Sequence, residues 1–375
     1  MKPGTKPQPV PIAIKGSYTT AFGELWSETL TDLLSEAMMG AIESAGVKPS
    51  SIEAVFVGNK AADSFESQHH LNALASSLLP HTPPAFHLEA ACASGSLALV
   101  TAEMALRSGT YERVLVVGVE KMSDVSVEEA TRILAGAAHA SAEYGSTFPG
   151  LYALLAQLYQ AEYGLSDRVL RQALSQVSAK NHQAAVDNPH AQFRRSLSPD
   201  QVSASPLVAS PLRVLDCSPL SDGASALVLE LADASTANLP TILGFGHAQD
   251  KLVLAEREQM HLLKATTRAS QLALAEAGLT IKDIKVAEVH DCFTIAELLA
   301  VEDLGLMPRG QAAKKIAKTG HYRADLTINP SGGLKACGHP VGATGIKQVA
   351  FLAEWLNKHP DIKYGLTHNV GGSMG

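Results

Sequence analysis

Aromatic side chains are scarce in this sequence, at 5% of 375 residues, so a stacking platform for single-stranded nucleic acid is not expected. Positive charge is not in excess: 30 Lys and Arg against 37 Asp and Glu leave a formal charge of −7. A nucleic-acid binder needs clustered positive charge to displace counterions, so that class is set aside. No stretch approaches the roughly 20 apolar residues needed to cross a bilayer, which argues against a membrane protein. The N-terminal stretch lacks the uninterrupted apolar core of a secretory signal, and its first ten residues, rich in proline and lysine, read as a flexible tail. Ser373-Met374-Gly375 is no peroxisomal address, and a cytoplasmic location is expected. Cysteine is sparse too. The four, at 92, 217, 292 and 337, are too scattered for a disulfide framework, and no two form a CxxC that would suggest structural zinc.

What is present is a compact α/β composition, 46% hydrophobic and 18% charged, which excludes disorder. Helical and strand-like stretches alternate, and two of them resemble each other. Ala41–Val47 leads through Ile52 into Ala54-Val55-Phe56-Val57, and Ala275–Leu279 leads through Ile284 into Val286-Ala287-Glu288-Val289. Each reads as a helix closed by an Ala-Gly C-cap, a short loop and a buried strand. A second pair follows in the same order. Cys92–Gly95 opens a helix over Ser96–Arg107 before the strand Arg113–Val119, and Gly338–Gly342 opens a helix over Ile346–Lys358 before Tyr364–Thr367. Two matched pairs in one order point to a duplicated α/β fold. We divide the chain into a first half, 1–122 plus 213–235, a second half, 236–375, and an insertion, 123–212. Long insertions between core halves commonly form a lid or binding region, with helices here expected at 151–163 and 166–187.

Four blocks carry chemistry. Cys92 sits between small residues where a strand passes into a helix. Unpaired N–H groups and the helix dipole there would lower its pKa, though a buried structural cysteine fits about equally well. Asn329–Gly345 holds five glycines in 17 residues without the GK[ST] ending of a P-loop, and reads better as a rigid turn presenting His339 as a base. His290-Asp291-Cys292-Phe293 ends a strand where parallel sheets place their ligands, with Asp291 also placed to cap the helix that follows. The last block, His368–Gly375, supplies a glycine turn whose N–H groups could line an oxyanion hole.

Together, ACASG around Cys92, HDCF at 290–293, GGLKACGHPVGATG at 332–345 and NVGGSMG at 369–375 resemble the four signature blocks of thiolases, in order and over nearly the whole chain. HDCF resembles the sterol-carrier-protein-2 type and related archaeal and bacterial acetoacetyl-CoA thiolases. Where common thiolases carry a second catalytic cysteine, this chain has Asn369, and in the HDCF subgroup Cys292 is thought to take over. The resemblance implies duplicated βαβαβαββ halves in a five-layered αβαβα core with an inserted loop domain. It also implies a further closing strand beyond the last glycine block, which this sequence does not contain.

The resemblance further implies condensation of two acyl-CoA molecules, or thiolytic cleavage of a 3-ketoacyl-CoA, in fatty acid and lipid metabolism. Cys92 would be the nucleophile and His339 its activator. Cys292 would be the acid/base, and His290 with His339 would hold the enolate oxygen. The N–H groups of Cys92 and Gly371 would form the thioester oxyanion hole, and Ser218 would touch the pantetheine arm. No metal or dissociable cofactor is expected; coenzyme A thioesters are substrates. The expected partners are a second copy of the chain, as a homodimer or a dimer of dimers paired through Pro84–Glu89, and a small zinc-ribbon/OB-fold acyl-CoA-binding protein. A ketosynthase-type condensing enzyme and a non-catalytic acyl-CoA-binding scaffold are the alternatives. Cys337 and Cys217 receive no chemical role, Lys121 is read as ending a strand, and His69-His70 as a surface loop.

Overall fold

A computed structural model describes residues 9–374, so the tail read over the first ten residues falls almost wholly outside the described ones. In chain order the strands are β1 (Ile12–Thr19), β2 (Ala54–Gly58), β3 (Ala85–Leu88), β4 (Arg113–Glu120), β5 (Leu207–Ala209), β6 (Leu212–Arg213), β7 (Gly223–Leu231), β8 (Thr241–Ile242), β9 (Val286–Glu288), β10 (Thr327–Ile328) and β11 (Gly365–Thr367). The first sheet runs β3-β2-β4-β7-β1-β8 and the second β10-β9-β11, with β5-β6 a separate hairpin. The duplication is visible in this order. β2 lies parallel between β3 and β4, as β9 lies parallel between β10 and β11. In the first half β7 then closes antiparallel on both β4 and β1. Among the described residues no strand pairs with the outer edge of β11. A cavity of about 600 Å³, lined by none of the chemical residues, lies between that edge and Thr241–Gly244.

The matched helix ends have one cause. Gly46 after the Leu30–Ala45 helix adopts φ 64° and ψ 29°, and Gly278 after the Lys264–Ala277 helix adopts φ 67° and ψ 27°. Only glycine enters that left-handed region without a Cβ penalty, so each Ala-Gly pair stops its helix and turns the chain toward a strand. Both strands are fully buried along their length, β2 as Ala-Val-Phe-Val-Gly and β9 as Val-Ala-Glu. A side chain such as Val55 or Leu115, with no exposed surface, contributes about 1.5–3 kcal/mol relative to exposure.

The layers follow from the apolar faces. The Leu30–Ala45 helix covers the outer face of the first sheet through Leu34, Met38 and Ile42. The helices Ser94–Arg107 and Thr344–Lys358 share one cluster with that sheet's other face, through Ala98, Leu99, Ile346 and Ala350. The second sheet comes next. Beyond it, Ile295, Leu298 and Leu299 of the Thr294–Asp303 helix pack with Ala287 and Val289. The segment between β4 and β7 carries the Phe148–Glu162 and Asp167–Ala184 helices, close to the extents expected. Its Tyr152, Leu155, Leu170 and Leu174 join the same cluster as the second half, so the insertion packs on the half that follows it.

The two halves meet where neither can tolerate a side chain. A Cβ at Gly95 would stand 2.5 Å from the Gly342 carbonyl oxygen, and one at Gly118 would collide with the same atom. This close approach brings the turn after Gly338 against the C-terminal end of β4. There the Glu120 carboxylate accepts N–H bonds from Lys60, Ala61 and Gly342, each at 3.0 Å. Burial nevertheless raises that carboxyl to about 7.

Candidate active site

Cys92 lies on a stitched turn between β3 and the Ser94–Arg107 helix. Ser94 Oγ accepts from the Ala90 N–H at 2.9 Å and donates to the Ala91 carbonyl at 2.6 Å, while Glu89 takes the Ala91 N–H at 2.7 Å. These bonds hold Ala91 at φ 51°, a conformation an L-residue adopts only when its surroundings over-determine it. The turn aims Cys92 at the second half while leaving the residue partly open. The sequence led us to expect a lowered thiol pKa here. The opposite holds: burial pushes the thiol up to about 11, against the opposing pull of Lys60 and of the Gly372 N–H. Desolvation dominates, and the resting nucleophile is a neutral thiol.

His290, His339 and Cys92 converge, with their candidate ligand atoms all within 4.8 Å of one another. Among the described residues this is the group that could hold a metal ion. The two imidazole rings stand 5.1 Å apart at 84°. Burial lowers His339 to about 3 and takes His290 well below its ordinary value, so both are neutral. Each Nε2 is buried without a partner, and the hydrogen bonds of each Nδ1 set what that Nε2 carries.

The two settings are opposite. Thr344 donates its hydroxyl proton to the Pro340 carbonyl at 2.9 Å, so toward His339 Nδ1, 2.7 Å away, its oxygen can only accept. His339 therefore carries its proton on Nδ1 and presents a lone pair at Nε2. Asn369 accepts the Ser96 hydroxyl on Oδ1 at 2.9 Å, which turns its amide nitrogen to His290 Nδ1 at 2.9 Å. An amide nitrogen only donates, so His290 carries its proton on Nε2. One histidine faces the cleft as a base and the other as a hydrogen-bond donor. Thr344 and Asn369 were not singled out as ligands of the histidines in the sequence, because neither contact follows from a local motif.

The HDCF block follows β9. Cys292 is buried, and burial, then the nearby Cys92, drives its thiol well above the ordinary value; the Tyr152 hydroxyl and the Phe293 N–H oppose that rise. Ser218 donates its N–H to the Cys292 carbonyl at 2.8 Å, which places Ser218 against the block. Asp291 does not cap the helix that follows it, whose first turn receives no side-chain bond. Its carboxylate instead accepts the N–H groups of Leu334 at 2.6 Å and Lys335 at 3.2 Å, and the Asn181 amide at 2.6 Å. Asp291 thus ties the HDCF block to the glycine-rich block that holds His339.

Gly371 backs onto the nucleophile turn, where an added Cβ would collide with the Ala90 carbonyl. The remaining singled-out residues lie elsewhere. Lys121 is buried in contact with Asp222 at 3.0 Å and Asp124 at 2.7 Å, and Cys337 is enclosed beside the Asn188 amide at 3.5 Å. Cys217 is partly open rather than fully buried, bonds the Arg213 carbonyl at 3.3 Å, and has its thiol pushed up to about 12 by burial. His69 and His70 are exposed.

Two family descriptions match the chain: "Thiolase, N-terminal domain" over residues 12–233 and "Thiolase C-terminal domain-like" over residues 246–375. An acetyl-CoA acetyltransferase of Methanothermobacter thermautotrophicus is 41% identical, with 97% of each chain covered. Sterol carrier protein 2 of Homo sapiens is 31% identical over 92% of this chain and 66% of its own length. Among solved structures, the "Ltp2-ChsH2(DUF35) aldolase" superposes with a TM-score of 0.80 at 22% identity, covering 96% of this chain and 95% of its own. Human mitochondrial 3-ketoacyl-CoA thiolase superposes with a TM-score of 0.75 at 20% identity, covering 97% and 96%. At those identities the superpositions speak for the fold alone.

Proposed function

The chain belongs to the thiolase family and is an acyltransferase of that kind, and from this premise we propose that it makes or cleaves 3-ketoacyl-CoA through an acyl group carried on Cys92. One observation carries the reading: Cys92 faces one imidazole lone pair and one imidazole N–H at once. In the cleavage direction the Cys92 sulfur attacks the 3-keto carbonyl as its proton passes to His339 Nε2. Collapse of that adduct breaks the bond between C2 and C3, and the departing enolate of acetyl-CoA takes a proton at carbon from the Cys292 thiol. CoA then attacks the acyl-cysteine, gives its thiol proton to the Cys292 thiolate and expels Cys92, which recovers its proton from His339. Every proton is returned, and condensation is the same sequence reversed.

The neutral resting pair makes the histidine essential. A thiol pushed up to about 11 supplies little free thiolate, so proton transfer must accompany attack. His290 Nε2–H donates to the oxygen that gains charge, and the N–H groups of Cys92 and Gly371 would serve the thioester carbonyl on the acyl-enzyme. Ser218 would contact the pantetheine arm, and the segment 123–212 would cover the substrate. The relatives named acetyl-CoA acetyltransferase support acetyl-CoA as one substrate and coenzyme A as the leaving group. The chemistry written above uses no metal and no dissociable cofactor.

We place the enzyme in the cytoplasm as a homodimer paired through β3, whose Phe86 is exposed at the sheet edge. No helix among the described residues is long and apolar enough to cross a membrane. A solved neighbour named with a DUF35 protein supports testing co-purification with a small zinc-ribbon/OB-fold acyl-CoA-binding partner.

The deciding experiment is mass spectrometry after incubation with acetyl-CoA. The expected result is one acetyl group on Cys92, lost in Cys92→Ala; an unmodified Cys92 refutes the nucleophile. Release of CO2 from malonyl-CoA would instead favour a ketosynthase. Thiolysis of 3-ketoacyl-CoAs from short to long chain, with CoA, reads the substrate range.

A further inference from the structure

We propose that Gln192, from the inserted segment, is a positioning residue for the base, holding the His339 peptide in place through the Ser221 hydroxyl. The inference rests on the reading of His339 as the group that takes the Cys92 proton.

The turn that carries His339 does not place it unaided. Gly338 before it stands at φ 111° and ψ 160°, a region that only glycine enters freely, and Pro340 after it has no N–H to give. Thr344 at Nδ1 settles the ring's protonation but not where the peptide stands. The tie on the peptide is its own N–H, which donates to Ser221 Oγ at 2.9 Å. Ser221 has no exposed surface, and it donates its hydroxyl proton to Gln192 Oε1 at 2.6 Å. The other carbonyl within its reach, that of Pro219, lies at a poor 3.4 Å.

Each bond of this chain fixes the direction of the next. Gln192 Nε2 donates to the Leu220 carbonyl at 3.2 Å, so Oε1 is the end turned to Ser221. With its proton committed to Gln192, Ser221 Oγ shows only lone pairs to His339. Gln192 is itself anchored. Its N–H donates to the Cys337 carbonyl at 3.0 Å and the Phe193 N–H to the Ala336 carbonyl at 3.0 Å, so the loop pairs along the block just ahead of the turn. A Cβ on Gly338 would stand 3.0 Å from Ser221 Oγ and 3.2 Å from Gln192 Oε1, which shows how closely the two grip it. A residue of the insertion thus reaches the base in two bonds. Docking of the insertion and alignment of His339 are one event.

The test is single-turnover acetylation of Cys92 by acetyl-CoA in the full chain, reading the saturating rate and the half-saturating concentration separately. Gln192 is half-buried, so methionine is accommodated there, and it keeps the length while losing the acceptor. Displacing a catalytic group by about 1 Å can cost about 10²-fold, so Gln192→Met should lower the saturating rate about 10- to 100-fold and leave the half-saturating concentration within about two-fold. Gln192→Glu keeps an acceptor for Ser221 and should recover most of the native rate. Ser221→Ala should match Gln192→Met, and the double variant should be no slower than the slower single one, because the two bonds act as one chain. A native rate in Gln192→Met, losses that multiply in the double variant, or equal impairment by methionine and glutamate overturns the proposal. His339→Ala separates the two readings. If it acetylates at the native rate, the base assignment itself fails; if it is slow while the Gln192 variants are not, only the role of Gln192 fails.

Discussion

Asn369→Asp should disable the site by moving one proton across one imidazole ring. In the native arrangement Asn369 donates to His290 Nδ1 at 2.9 Å, and His290 consequently carries its proton on the unpartnered Nε2. A carboxylate in place of the amide can only accept, so Nδ1 must become the protonated nitrogen and Nε2 the lone pair. Both histidines then point lone pairs at the substrate oxygen, and the developing oxyanion loses a donor and gains a repulsion. Removing one donor of an oxyanion hole costs about 10²- to 10³-fold in kcat, or about 2.7–4 kcal/mol. Asn369→Ala leaves Nδ1 free to accept from water and should cost less than the aspartate. Lowering the pH should partly rescue the aspartate variant alone, since a carboxylate beside His290 raises the ring's pKa and the imidazolium carries both protons. The measurement is kcat for thiolysis of acetoacetyl-CoA against pH for the three proteins, with ¹⁵N chemical shifts of His290 reporting which nitrogen is protonated. An aspartate variant within ten-fold of the native rate above neutral pH, or one less impaired than alanine, refutes the assignment of the two protonation states.

Three further outcomes are expected. Thr344→Val removes the acceptor that holds the proton on His339 Nδ1, and should slow acetylation of Cys92 about ten-fold, the value of one hydrogen bond to a catalytic base, read by quenched-flow mass spectrometry. Alkylation of Cys92 by iodoacetamide should keep rising with pH toward the thiol's value of about 11, because the reactive thiolate forms only as pH approaches it; a plateau at or below neutral pH would indicate a thiolate–imidazolium pair instead. Gly118→Ala places a methyl group against the Gly342 carbonyl and should lower stability by about 1–3 kcal/mol, measured by urea unfolding, with a larger proportional loss of activity.

The parts of this protein that were legible in its sequence are those set by neighbours along the chain. The Ala-Gly helix ends at 45–46 and 277–278, the buried runs of β2, β4 and β9, and the turn presenting Cys92 all follow from residue types within a few positions. The four blocks also carried the resemblance that brought Cys92, His290, Cys292 and His339 forward together. Gln192 gave no such signal, because its partner Ser221 lies 29 positions away and a glutamine in a loop reads as ordinary surface. Asn369 was noticed only for the cysteine it replaces, since its use depends on Ser96 turning its amide from 273 positions away. The Cys92 thiol was misjudged in direction because a helix start is a local feature and desolvation is not. How much protein surrounds a sulfur is decided by the approach of the second half.

That approach has a consequence for how the enzyme fails. The nucleophile and its base stand on different halves, held in register at a backbone contact with no side chain to cushion it. The halves are also joined behind that contact, since Ile346 and Ala350 of the second half sit in the apolar cluster under the first sheet and β8 extends that sheet from β1. On warming, acylation and the helical signal should therefore be lost together, because the seam cannot slip without opening a core that both halves share. The active site would thus report on the whole core, failing when the fold fails.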